Sequence, residues 1–240
     1  MIDWLHRPPA ELTVEVGGRA LPLAVRRHPR ATRMILRLGT TGREVCVTLP
    51  PWGRTLDALA FARSRSGWLE AQLERLPTPA CPVAEGYLTY RGAVLSIQWS
   101  AGRARKPQIC GPTLHVGGPQ QSLRPRLQRW LEEEARRVMA ADLAEYCSLA
   151  GVATPPLCLS RARRRWGSCS GKGTIRVNWR LIQAPDHVRR SVVAHEVAHL
   201  LHFNHSPAFH ACLADLFDGD LAAADRWLKH EGRALYRHFG

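Results

Sequence analysis

Between Val192 and His210 the chain reads VVAHEVAHLLHFNHSPAFH, which places five histidines in nineteen residues. This stretch leaves the backbone few choices. His195 and His199 lie four residues apart. On an α-helix they share one face, about 40° from each other. Their imidazoles can therefore converge on one ion at about 2.0–2.1 Å, as tetrahedral zinc requires. Glu196, one residue round the helix, points beside that ion. It has the position of a base that takes a proton from metal-bound water, the H-E-x-x-H arrangement.

A third ligand at the tenth position after His195 cannot come from the same helix, because that position has rotated away and risen along the axis. The chain must leave the helix and turn back. Asn204 belongs to a residue type that tolerates the left-handed conformation expected at such an exit. Ser206-Pro207 reads as an N-cap followed by proline at the first helical position, opening the helix PAFHACLADLF. His205 falls in the elbow and is the expected third ligand. His202, three residues after His199, and His210, one turn into the next helix, are the alternatives. Three protein ligands leave a fourth position for water, the mark of a catalytic rather than a structural site. The competing reading is a histidine-rich helix that binds nothing.

The surrounding pattern predicts an α+β chain. ELTVEVGGRALPLAVRR alternates about Gly17-Gly18 and TRMILRLGTTGREVCVTLP about Thr41-Gly42, two hairpin signals within residues 11–50. An amphipathic helix is expected over 54–76, weakened at Gly67. After the proline-rich PTPACPVAEG, further strands are expected in GYLTYRGAVLSIQWS and PQICGPTLHVGG. A long helix should cover 122–151, burying Leu127, Trp130, Leu131, Ala135, Val138, Met139 and Leu143 and stopping at Gly151. TIRVNWRLI reads as one strand with Ile175, Val177, Trp179 and Leu181 on a single face. Asp186 is the expected cap of the histidine helix, and a last helix should run from about Leu221 to Tyr236. The sequence shows no internal repeat. These patterns place a boundary near residue 121, separating a β-rich N-terminal region with one amphipathic helix (1–121) from a domain that carries the histidines (122–240).

The net charge of +14 and pI near 10.5 favour polyanions, nucleic acid above all, as partners of a basic surface. A solvated arginine-rich surface is the plainer explanation. Seven cysteines, an odd number with no C-x-x-C pair, argue against a disulfide framework or a cysteine-only zinc site and for a reducing compartment. The opening MIDWLHRPPAELTVEV lacks the basic and apolar regions of a signal peptide, and no apolar run is long enough to span a membrane. The expected location is cytoplasmic, with no membrane partner.

RRRWGSCSGKGTIRVNWRLIQAP followed by VVAHEVAHLLHFNHSPAF resembles the YgjP-like family of zinc metallopeptidases, itself related to the SprT-like and WLM zincins. The elements RWGSCS, NWRL and the H-E-x-A-H-L…N-H-S-x-x-F pattern carry the resemblance over about 160–210, and RRHPRATRMILRL and VTLPPW extend it more weakly. It implies a zincin-like domain, with the active-site helix beneath a small sheet, and a β-rich N-terminal extension. It also implies Zn2+ bound by His195, His199 and His205, with Glu196 as catalytic base and a peptide or protein as substrate. Metzincins share the ligand spacing but carry glycine where this chain has His202. They also have a methionine after the third ligand, and the only methionines here are Met1, Met34 and Met139.

Several residues nearby carry weaker readings. Ile175 to Leu181 are either an edge strand that pairs with substrate or packing beneath the helix. Cys169 is either a metal neighbour or a buried thiol. Asn178 is a candidate to orient a ligand imidazole. Trp166 and Trp179 read as core. Arg161, Arg163, Arg164 and Arg165 bind phosphates or line a solvated strand face. Tyr236, His238 and these arginines are candidates to stabilise an oxyanion. Two functions compete with peptide hydrolysis: metal-dependent hydrolysis of a phosphoanhydride or nucleotide, and nucleic-acid binding, with proteolysis of DNA-bound proteins as a hybrid.

Overall fold

The computed structural model describes residues 12–39, 42–76 and 80–240. The chain separates into two compact units, one ending at residue 77 and the other beginning at residue 78.

The first unit is a four-stranded sheet and two helices. Strands β1 (Thr13–Val16) and β2 (Arg19–Arg27) form an antiparallel hairpin. Gly17 and Gly18 take φ of 53° and 72° at its turn, the doubly positive conformation that a two-residue turn requires and glycine accepts without strain. Strands β3 (Ile35–Leu38) and β4 (Val45–Leu49) pair antiparallel, and β2 and β4 pair parallel, giving the order β1-β2-β4-β3. Thr41, in the second expected turn, lies outside the described residues. Alternate residues Val14, Val16, Leu21, Leu23, Val45, Val47 and Leu49 point inward onto Ala58, Ala62 and Leu69.

Those three residues lie on α1 (Thr55–Ser64) and α2 (Ser66–Glu74). One helix was expected here. It is broken at Arg65, where the backbone opens to φ −113° and ψ 18°. The break falls in Ser64-Arg65-Ser66, two residues before Gly67. The Ser64 hydroxyl donates to its own helix at Phe61 O (2.9 Å), the local competition that makes serine a weak helix interior residue.

The second unit starts with a one-turn helix α3 (Pro82–Glu85) and strands β5 (Tyr87–Tyr90), β6 (Ala93–Trp99), β7 (Gln108–Cys110) and β8 (Thr113–Val116). Their order β5-β6-β8-β7, with a parallel central pair between two antiparallel ones, repeats the topology of the first sheet. The repeat is one of topology, with no matching sequence signal. Leu88, Leu95, Leu114 and Val116 from this sheet share one core with Leu123, Leu127 and Trp130 of α4 (Leu123–Leu149). The division into units therefore does not fall near residue 121. The inner face of the second sheet shares its core with α4, whose buried stripe matches the expected residues. Gly151 follows in the left-handed region at φ 67°.

Beyond α4 come β9 (Leu157–Ser160), β10 (Gly167–Cys169) and β11 (Ile175–Asn178), in the order β10-β11-β9. The strand in TIRVNWRLI ends at Asn178, and Trp179–Gln183 form a 3-10 helix. Asn178 Oδ1 accepts from Arg180 N–H (3.1 Å) and turns the chain, while the Arg180 Nε–H donates to Phe239 O (3.1 Å). Trp179 and Leu181 are still buried, so burial was legible although its backbone was not. β11 is the central strand, so the edge reading for Ile175 to Leu181 is replaced: β9 and β10 are the edges, and β10 is the one against α5. The run Arg161–Arg165 is the irregular connection from β9 to β10 and not a strand face.

The remaining elements are α5 (Asp186–Leu201), α6 (Pro207–Leu216), α7 (Leu221–His230) and a 3-10 turn at Gly232–Tyr236. No described helix is long and apolar enough to cross a membrane. The N-cap position of α5 is Pro185, with no side-chain cap. Asp186 instead sits in the first turn and receives Arg91 and Arg189. Arg91, at φ 50°, is the one non-glycine residue with positive φ among those described. It heads the β5–β6 turn, and its N–H donates to Ile182 O (2.7 Å), so the hairpin tip is held against the start of α5. Arg91 first, and then Arg189, hold the Asp186 carboxyl down from its usual 3.8 to about 2. A depressed carboxylate contributes stability that is complete above its unfolded pKa of about 4 and is lost as pH falls towards 2. The Asp186 side chain is 37% exposed, and screening keeps the gain to about 1 kcal/mol. Asp186→Asn should be less stable than the parent at pH 7, and denaturant melts at falling pH should show the gap closing by pH 2.

Candidate metal centre

Helix α5 buries Val188, Val192, Val193, Ala194, Val197 and Ala198 and lies against α4, β10 and β11. The opposite face carries His195 and His199 one turn apart. The helix stops at His202, whose backbone is extended (φ −135°, ψ 105°). The exit therefore uses an extended His202 and not a left-handed Asn204. Ser206 Oγ then accepts from Phe209 N–H (3.4 Å), and Pro207 opens α6. This is the cap-and-proline start expected from the sequence, and it sets His205 in the elbow facing back towards α5.

The imidazoles of His195, His199 and His205 come together. Their ring centroids lie 4.8, 5.2 and 4.8 Å apart, and one ligand atom from each lies within 4.8 Å of the others. The Nε2 atoms of His195 and His205 are 3.3 Å apart. Two ligands at about 2.0–2.1 Å from a tetrahedral zinc are separated by about 3.3–3.4 Å, so this pair already has the spacing the ion needs. His199 Nδ1 lies 3.0 Å from the His202 carbonyl oxygen. An Nδ1–H donated there leaves Nε2 as a free lone pair, the usual way an outer partner fixes a ligand tautomer. His202 thus serves through its backbone, not its ring. His210 is exposed, with its ring 6.4 Å from that of His205, and lies outside the cluster.

Burial, and then the neighbouring His199 and His205, push the His195 pKa down to about 4. At neutral pH it is an uncharged imidazole that binds a metal without first losing a proton. Glu196 is 5% exposed, and burial pushes its carboxyl up to about 7, partly offset by Arg165 and by a backbone bond from Cys169. Its Oε2 is buried with no hydrogen-bond partner. A buried polar atom left without a partner is costly, and this one belongs to the residue that directly follows the ligand candidate His195. The donor set, its spacing and the orphaned carboxylate oxygen fit zinc.

Two residues complete the centre. Gly167, on the edge strand β10, backs onto the carboxylate: a Cβ placed there would lie 2.2 Å from Glu196 Oε1. Gly167→Ala should displace Glu196 and cut hydrolysis at least about 100-fold, the scale of a lost general base. Zinc content should stay at one per chain, read by metal analysis beside kcat/KM. Phe209, fully buried, packs its ring 5.0, 4.6 and 4.7 Å from those of His195, His199 and His205. Phe209→Ala should lower zinc affinity by about 10–100-fold, the range for groups that orient ligands, measured by competition with a chelator. Sequence reasoning assigned neither residue a role, although RWGSCS and NHSPAF contain them.

The other candidates are placed elsewhere. Asn178 Nδ2–H donates to Ala162 O (2.7 Å) and Tyr236 Oη (3.1 Å), so it ties the β9–β10 connection to the C-terminal turn and orients no imidazole. Tyr236 is engaged there, and buried His238 bonds Glu85. The Cys169 thiol is half-buried and outside the ligand cluster. Trp166 packs on Tyr236, and Trp179 is in the core. Arg161 pairs with Glu132 (2.9 Å). Of the four arginines, Arg165 is the one that bears on the Glu196 charge.

Three imidazoles that converge on one point beside α5, with the buried carboxylate of Glu196 next to His195 in the chain, are the kind of donor set that metal-dependent hydrolases use. Residues 32–231 match the family model described as YgjP-like, metallopeptidase domain, and the chain belongs to that family. No curated protein and no solved structure matches it.

Proposed function

We infer that the protein is a zinc metallopeptidase of zincin-like architecture, with zinc held by His195, His199 and His205 and with Glu196 as general base. The reading is carried by the 3.3 Å separation of two ligand nitrogens beside the unpartnered Glu196 Oε2. Zinc held by these three histidines would supply an acidified water and a Lewis acid for the scissile carbonyl. Glu196 accepts a proton at Oε2 and returns it to the leaving amine; a carboxyl held near neutrality is suited to both steps. The substrate lies extended beside β10, because an edge strand offers unpaired backbone groups and β11 has partners on both sides. Arg165 faces the developing negative charge. A reducing compartment, the cytoplasm, is the location this reading takes, supported by seven cysteines that form no disulfide.

One observation favours a second substrate class. The approach to β10 is the arginine-bearing connection 161–165, and Arg165 acts on Glu196. The same metal and base beside guanidinium groups suit a phosphoanhydride. Zinc-loaded protein and its Glu196→Gln variant, assayed on an unfolded protein and on nucleoside triphosphates, separate the two. Glu196-dependent peptide cleavage supports the peptidase; cleavage of nucleotides alone replaces it with the second reading.

A further inference from the structure

We propose that the outer face of the β5-β6-β8-β7 sheet, under the loop from Ser100 to Pro107, is a binding site for the phosphate backbone of single-stranded nucleic acid. The site is independent of the metal centre. No acidic residue occurs from Gly86 to Leu131, while seven lysines and arginines do. The charge gathers around a cavity of about 740 Å³ lined by Arg103, Lys106, Gln108, Ile109, Cys110 and His115. Neither Arg103 nor Lys106 meets a carboxylate among the described residues. Like charges facing one cavity repel, and an anion between them relieves that repulsion.

The cavity is built rather than incidental. The loop is seated on the end of β8: Gly117 N–H donates to Ala104 O (2.8 Å). A Cβ on Gly117 would lie 1.9 Å from Arg103 O, so only glycine permits that approach. Arg103 bonds His115 Nδ1. A guanidinium can only donate, so Nδ1 accepts and the His115 ring carries its proton on Nε2, a second donor suited to a phosphate oxygen. Gln98, His115 and Gln108 sit side by side across β6, β8 and β7, which adds amide donors.

The form of the site favours a strand over its rivals. Its volume is that of a small-ligand pocket, a size that admits a single nucleotide. The positive charge also continues beyond it: exposed Arg105 follows on the same loop, its stem 3.0 Å from a Cβ placed on Gly118, while the Arg126 guanidinium behind it is held by Gly117 O and Ser122 Oγ. A single phosphate would leave that extension unused, whereas a strand places successive phosphates along it.

The test is fluorescence anisotropy with a labelled single-stranded oligonucleotide of about twenty thymidines, against a salt series. Arg103→Glu with Lys106→Glu should raise Kd at least tenfold. Lys106→Ala alone, at an exposed residue whose loss should not disturb folding, should flatten the log–log salt dependence by about 0.7, one phosphate contact. Zinc content and hydrolysis should be unchanged in all variants. A control pair in the other unit, Arg19→Glu with Arg37→Glu, carries the same charge change and should retain binding. The proposal is overturned if the oligonucleotide does not bind, if the control pair weakens it equally, or if duplex DNA competes as well as the single strand.

Discussion

Glu196→Gln should bind one zinc per chain and hydrolyse peptide about 10²–10⁴-fold more slowly than the parent, the range that general acid–base catalysis contributes. Glutamine matches the carboxylate in shape but takes up no proton. Metal content should be unaffected, because the ligand cluster consists of the three histidines and leaves Glu196 out. The fold should survive as well: burial already disfavours the Glu196 charge, and the neutral amide removes that cost. The measurement is kcat/KM beside zinc stoichiometry on the same sample. Full activity in a zinc-loaded variant would remove Glu196 from the mechanism, and lost zinc would make it a ligand. His195→Ala, His199→Ala and His205→Ala should each fail at the earlier step and lose the metal.

Asp142→Ala should destabilise the protein by about 3–5 kcal/mol, the cost of removing one partner from a buried ion pair. Arg189 is 2% exposed and Asp142 5%, with Arg189 Nε–H donating to Asp142 Oδ2 at 2.7 Å. Without Asp142 the guanidinium keeps only Asp186, itself shared with Arg91, and Arg190 loses its weaker contact to Asp142 at 3.4 Å. At about 2–4 °C per kcal/mol for a unit of this size, the melting temperature should fall by roughly 10 °C. Asp142→Leu combined with Arg189→Met should recover most of the loss, since apolar replacement of a buried pair is close to neutral. If the single and double variants melt alike, apolar packing holds α4 to α5 and the ion pair does not. The pair fixes the half of α5 that precedes His195, so zinc affinity should weaken with Asp142→Ala and return in the double variant.

The amino-acid sequence by itself determined whatever depends on local spacing. One helical turn between His195 and His199, the Ser206-Pro207 start that puts His205 in the elbow, the Gly17-Gly18 turn and the buried stripe of α4 each follow from steric rules that act over a few residues. Only the tertiary structure decided what depends on partners far along the chain. β11 lies between β10 and β9, so the edge against α5 is a three-residue strand with little pattern of its own. Gly167 is a glycine because Glu196, twenty-nine residues later, occupies the place of its side chain. The second sheet joins α4 because its inward leucines and valine need a cover, and a period-two pattern names a face without naming what lies on it. The convergence of three histidines could thus be read from one short stretch, while the groups packed around them waited for the tertiary structure, because burial and orphaned polar atoms are properties of the folded chain.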